Sequence, residues 1–130
     1  MTNKNGFLNL QEKVAIVTGA ATGLGAATAI LLSEAGAYVL VNHMHGQEAQ
    51  AQEVADKCAN GSLCVAGDIT QNEDCKIIAQ AAIEQWGRVD ILVNNAGINK
   101  FVEHYDLDGL SSKDFIDIYS VNVIGAFQMI

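Results

Sequence analysis

Val14-Ala15-Ile16-Val17-Thr18-Gly19-Ala20-Ala21-Thr22-Gly23-Leu24-Gly25 is the stretch on which the fold turns. Its first residues, 14–18, are an apolar and β-branched run of the kind that forms a buried strand. Residues 24–35 follow as a helix, with Leu24, Leu31 and Ala35 on one stripe and Gly36 placed to end it. A strand that passes through glycines straight into a helix is also a cradle for an anion. Gly19 permits the tight turn, Gly23 lets backbone approach a pyrophosphate, and Gly25 allows close packing of helix on sheet. Unpaired N–H groups and the helix dipole supply the attraction. The chain has 130 residues, seven basic and fifteen acidic, for a formal charge of -8, so a phosphate must be held by such local geometry. An ordinary glycine-rich turn stays open as the other reading, because the spacing is T-G-x-x-x-G-x-G rather than G-x-G-x-x-G.

Outward from this stretch, strand-like runs alternate with helical ones. Residues 38–41 form a second strand, and 47–59 a helix stopped by Asn60-Gly61. Residues 63–66 form a third strand. Thr70 and Glu73 make a capping box for a helix carrying Cys75, Ile78, Ala82 and Trp86, ended by Gly87. Residues 90–93 form the fourth strand, and Ser111, with Asp114 at the third position, caps a last helix that runs to Ile130. Such alternation predicts an α/β fold: a doubly wound parallel sheet in three αβα layers, residues 1–130 forming one unit. Right-handed crossovers give strand order 3-2-1-4. Strands one and four are then neighbours whose outgoing loops diverge, opening a crevice at their carboxyl ends.

Half of the residues are apolar, 17% are charged and proline is absent, which excludes disordered, collagen-like and disulfide-scaffold classes. The acidic balance gives no footprint for nucleic acid or anionic membrane. Cys58, Cys64 and Cys75 are odd in number and contain no C-x-x-C, so a reducing cytoplasmic location is expected, with no zinc site. Residues 1–13 carry no targeting pattern. Residues 14–33 lack charge and include Gly19-x-x-x-Gly23, yet the glycine turn divides them into strand, loop and helix, and no membrane span is expected.

The second informative motif ends strand four: Asp90-Ile91-Leu92-Val93-Asn94-Asn95-Ala96-Gly97. Paired asparagines there tie neighbouring loops or a ribose together, or are turn residues before Gly97. Taken with T-G-A-A-T-G-L-G and with Asp68 after strand three, the chain from about Leu10 onward resembles the short-chain dehydrogenase/reductase family, whose fold is of the Rossmann type. The resemblance implies that Gly19, Ala21, Thr22, Gly23, Leu24 and Gly25 line a dinucleotide NAD(P)(H). Asp68 and Ile69 would frame its adenine. Asn95, Ala96 and Gly97 would lie against the ribose and nicotinamide side, and Asn94 would stabilise the central sheet. Asn122, in Val121-Asn122-Val123-Ile124-Gly125, matches the family's catalytic asparagine, which helps hold a water in the proton relay. Asn122 also lies four positions after Ile118 and seven after Phe115, which predicts that it faces the core with them.

The family's Ser and Tyr-x-x-x-Lys have no match. Four residues after Tyr38, Tyr105 and Tyr119 stand Asn42, Gly109 and Val123. The resemblance therefore implies the cofactor-binding, N-terminal half of an oxidoreductase that moves hydride between a nicotinamide and an alcohol or carbonyl substrate. The chain reads as truncated and is expected to be nearly inert alone, since general acid/base catalysis typically contributes 10²- to 10⁴-fold. Two alternatives stay open: a non-catalytic dinucleotide-binding or regulatory module, and a structural subunit completed by a partner chain. His43 stands where an NAD site carries an acid, and Thr22 where NADP sites often carry a basic residue. An imidazole at His43 or His45 facing a 2′-phosphate tilts the expectation towards NADP, two solvated loop histidines being the alternative. Glu103, Asp106 and Asp108 read as an exposed acidic loop bordering the substrate. The apolar strand four would form a bare edge open to self-association.

Overall fold

A computed structural model describes residues 8–130. The part of the N-terminal reading that concerns residues 1–7 lies outside them. Four parallel strands, β1 (Val14–Val17), β2 (Tyr38–His43), β3 (Ser62–Ala66) and β4 (Ile91–Val93), form one sheet in the order β3-β2-β1-β4. Central β1 pairs Val14 with Tyr38 on one side and Ala15 with Ile91 on the other. All four of its residues are buried, as a strand covered on both faces requires.

Side chains alternate between two cores. Val17, Val39 and Val41 face Ala29, Ala51 and Val54 of helices α1 (Gly23–Glu34) and α2 (Glu48–Lys57). Val14, Ile16 and Leu40 face Cys75, Ile78 and Ala82 of α3 (Asn72–Trp86), together with Met129. These are the three predicted layers. Fully buried Ile16, Leu40 and Ile78 each contribute roughly 1.5–3 kcal/mol through removal of apolar area from water.

Three local expectations are corrected. In α1 the buried face is Gly25, Ala29 and Ser33, while Leu24 is 81% and Leu31 63% exposed. Small residues at i, i+4 and i+8 let the helix start hard against the sheet, and that close approach, which an almost uniformly apolar sequence does not announce, turns the leucines outward. Gly36 does end the helix as predicted: its N–H donates to the Ser33 carbonyl and that of Ala37 to Leu32. The Thr70–Glu73 capping box does not form. Gln71 is the N-cap of α3 without a side-chain capping bond, and the Thr70 hydroxyl donates instead to Asp68 Oδ1 at 2.7 Å. At the last helix, Ser111 and Asp114 make the predicted box at the start of α4 (Ser112–Tyr119). The helix then passes through a π-helical segment, Ser120–Gly125, before α5 (Ala126–Met129). Phe115, ahead of that segment, and Asn122, within it, are both exposed, so the predicted core-facing stripe does not form; wider turns rephase the helix, and the positions it buries are Gly125 and Met129.

Candidate functional site at the carboxyl edge of the sheet

The parallel sheet brings the loops after all four strands to one edge. Between β1 and β4, where the chain reverses its direction of winding, the glycine-rich loop and the Asn94–Gly97 loop meet. They are tied together side chain to backbone. Buried Thr18 accepts at Oγ1 from the N–H groups of Asn95 (3.1 Å) and Ala96 (3.0 Å). Asn95 Nδ2 donates back to the Thr18 and Gly19 carbonyls at 3.0 and 3.1 Å. Buried polar groups placed this way are all satisfied, and they fix the crevice without a ligand.

The three glycines of the loop differ in their surroundings. A Cβ on Gly25 would stand 2.4 Å from both Asn95 Nδ2 and the Gly19 carbonyl oxygen, and one on Gly19 would stand 2.9 Å from Ala96 Cα. Both therefore serve the approach of one loop to the other. Gly23, with φ +59°, has nothing within 4 Å of an added Cβ, so it presents bare backbone outward. Thr22, the N-cap of α1, makes no side-chain capping bond, and the first turn carries no acid. An uncapped helix N-terminus behind an open glycine is a fitting cradle for a pyrophosphate. Exposed Leu24 and Thr22 flank it, and Ala21 is buried beneath.

The remaining positions divide between those at this edge and those the fold has taken for itself. Gly97 is exposed, and an added Cβ there would come 3.3 Å from Asn122 Oδ1. Asn122 pairs with the backbone of Ile98 at both ends of its amide, accepting from its N–H at 2.8 Å and donating to its carbonyl at 2.9 Å. Asn94 reaches away from the sheet and donates to the Ala126 carbonyl at 3.1 Å. Asp68 accepts at Oδ1 from both the N–H and the hydroxyl of Thr70. Ile69 is only 4% exposed; its side chain lies in the core against Gly125, and Gln128 Nε2 donates to its carbonyl at 2.7 Å. His43 is not a solvated loop residue: it ends β2, 3% exposed, with Nδ1 donating to the Met44 carbonyl at 2.9 Å. His45 is exposed. Burial pushes the thiols of Cys58, Cys64 and Cys75 up, which leaves them poor nucleophiles. Among the described residues, no helix is long and apolar enough to cross a membrane.

Two contributors escaped the sequence reading. Lys100 binds Asp114 at 2.9 Å and, with Ser111, holds its carboxyl well below the usual range, anchoring the loop after β4 to α4. Asn42, 2% exposed, accepts from the Gly19 N–H at Oδ1. An amide ending the apolar run Val39-Leu40-Val41 was its one signal in the sequence.

A parallel sheet of this order, with open glycine backbone and an uncapped helix N-terminus at its switch point, is a fold of the Rossmann type. The sequence model for short chain dehydrogenases matches residues 13–130, and the chain belongs to that family of oxidoreductases. An oxidoreductase of Methylorubrum extorquens is 37% identical over 118 residues, which are 89% of this chain and 46% of that protein. The short-chain dehydrogenase/reductase homolog YusS of Bacillus subtilis is 35% identical over 103 residues, 78% of this chain and 94% of YusS. Among solved structures, the 3-ketoacyl-(acyl-carrier-protein) reductase of Brucella melitensis, complexed with NADH, superposes with a TM-score of 0.84 at 36% identity, over 93% of this chain and 48% of that one. YusS apart, the chain spans about half the length of these relatives.

Proposed function

We propose that the chain forms the cofactor-holding part of an NAD(P)-dependent oxidoreductase acting on an alcohol or carbonyl substrate. The observation that carries this reading is the open backbone of Gly23 beside the uncapped start of α1, set in the crevice between β1 and β4. When bound, the dinucleotide supplies hydride donation or acceptance at its nicotinamide. N–H groups of the first turn of α1 hold the pyrophosphate, and the dipole compensates its charge in a protein of net charge -8. Asp68 and the backbone beside Ile69 border the adenine. Asn95, Ala96 and Gly97 shape the nicotinamide side, where Asn122 positions the floor through Ile98. Proton transfer at the substrate draws on a Tyr-x-x-x-Lys, a pattern this sequence does not contain, so the 130-residue chain binds cofactor with negligible turnover.

No acid stands in the run from His43 to His45 to meet a ribose 2′-hydroxyl, which favours NADPH over NADH. Since His43 is buried with Nδ1 committed, exposed His45 is the imidazole available to a 2′-phosphate. Fluorescence titration of the folded chain with NADPH and NADH tests both statements. Saturable binding of both, NADPH the tighter, is expected; no saturable binding of either contradicts the proposal, and tighter NADH binding contradicts the preference. A module that binds dinucleotide without belonging to a catalytic whole is the second reading, favoured by the match to nearly the whole of YusS.

A further inference from the structure

We propose that Asn42 is a positioning residue for the dinucleotide site, a single buried carboxamide that sets the glycine-rich loop and the loop after β3 in register. The inference rests on the dinucleotide reading for its effect on affinity and on geometry alone for its effect on the loops.

Asn42 sits one residue before the end of β2, opposite Val65 of β3. Its Oδ1 accepts from the Gly19 N–H at 3.2 Å, while Nδ2 donates to the carbonyls of Val65 at 3.3 Å and Gly67 at 3.2 Å. Its own carbonyl accepts from the Ala20 N–H at 2.8 Å. Four backbone groups from two other strands and their loops thus converge on one residue. Gly19 opens the anion cradle, and Gly67 leads directly into Asp68, so the pyrophosphate and adenine sides share this one fixed point. Water cannot take over, because the residue is 2% exposed.

Only a primary amide fits this arrangement. It needs an acceptor towards one N–H and two donor hydrogens towards two carbonyls, and Asn supplies all three. Aspartate is nearly the same shape but would set a carboxylate against two carbonyl oxygens and add negative charge beneath an anion cradle. A hydroxyl could accept from the N–H and donate to one carbonyl, but would leave the other carbonyl unpaired. Asn42 Oδ1 is the hydrogen-bond partner of the Gly19 N–H, so the aim of the cradle depends on it.

The test combines NADH titration with backbone-amide NMR on the 130-residue chain and its Asn42→Asp and Ser33→Ala variants. Ser33 is a control at the opposite end of the sheet, where its buried Oγ accepts from the Asn60 N–H at 2.8 Å. In the parent chain the Gly19 amide should exchange slowly. In Asn42→Asp, repulsion from the Val65 and Gly67 carbonyls should displace the carboxylate, so that the Gly19 and Ala20 amides shift and exchange quickly and NADH affinity falls about tenfold or more. Ser33→Ala should lower Tm while leaving affinity within about twofold. A folded Asn42→Asp that binds NADH as the parent does overturns the proposal, as does an equal loss of affinity in Ser33→Ala. If Asn42→Asp does not fold, Asn42→Ser supplies the same readouts, and fast exchange of Gly19 in the parent chain still overturns the proposal. If the parent binds neither NADH nor NADPH, the dinucleotide reading fails, whereas slow Gly19 exchange that is lost on substitution continues to support the positioning role.

Discussion

Gly23 and Gly25, two residues apart, answer to different physics. Gly23 has open space around it but a φ of +59°, so Gly23→Ala should cost about 1–2 kcal/mol through the left-handed conformation alone. Gly25 lacks that constraint, yet its Cβ would collide with Asn95 Nδ2 and the Gly19 carbonyl, both held in the loop-to-loop tie. Gly25→Ala should therefore be the more destabilising in urea denaturation and should weaken dinucleotide binding further. A smaller effect at Gly25 than at Gly23 would contradict this division. The glycines were legible in the sequence because a strand, a turn and a helix in that order need them. Asn42 was not. A polar residue after an apolar run reads as the start of a loop, and its burial follows from groups contributed by Gly19, Val65 and Gly67, distant in sequence. His43 was placed in a loop for the same reason, whereas β2 runs on to include it.

At the scale of elements, the site is aligned from the far end of the sheet. Asp90 accepts from the Val14 N–H at 2.9 Å and binds Arg88, fixing how β4 enters beside β1. The Arg88 guanidinium, and then the Val14 N–H, hold the Asp90 carboxyl below its usual range. A carboxyl whose folded value lies below its unfolded value stabilises the fold at neutral pH and loses that contribution as pH falls through about 4 and lower. Thermal unfolding should show Asp90→Asn less stable than the parent at pH 7, with the two converging towards pH 3. An unchanged gap across that range would contradict the assignment. Helix positions were legible from periodicity, and the Ser111–Asp114 box from its spacing. The π-helical segment was not, because no residue pattern separates an extra residue per turn from an ordinary helix. Counting at regular helical spacing from Phe115 and Ile118 placed Asn122 in the core, whereas Phe115 is itself exposed and Asn122 serves the Ile98 loop.

For the molecule as a whole, alternation of strand and helix together with right-handed crossovers sufficed to give the sheet order, because a parallel sheet has few ways to arrange four such units. What lies open is less constrained. Among the described residues β4 is paired on one side only, and Phe115, Tyr119 and Phe127 are exposed along the last helix. An unpaired apolar edge and such a surface favour association, so light scattering should give a mass above the monomer that falls on dilution. A monomer at every concentration would contradict this. The central claim is that a dinucleotide is held by backbone at the switch point between β1 and β4, and amide NMR during NADPH addition tests it most directly. The account predicts saturable shifts concentrated at Gly19, Gly23, Leu24 and Gly25 and at Asn95 to Gly97. Saturable shifts that leave these amides unmoved, or no shifts at all, would contradict it.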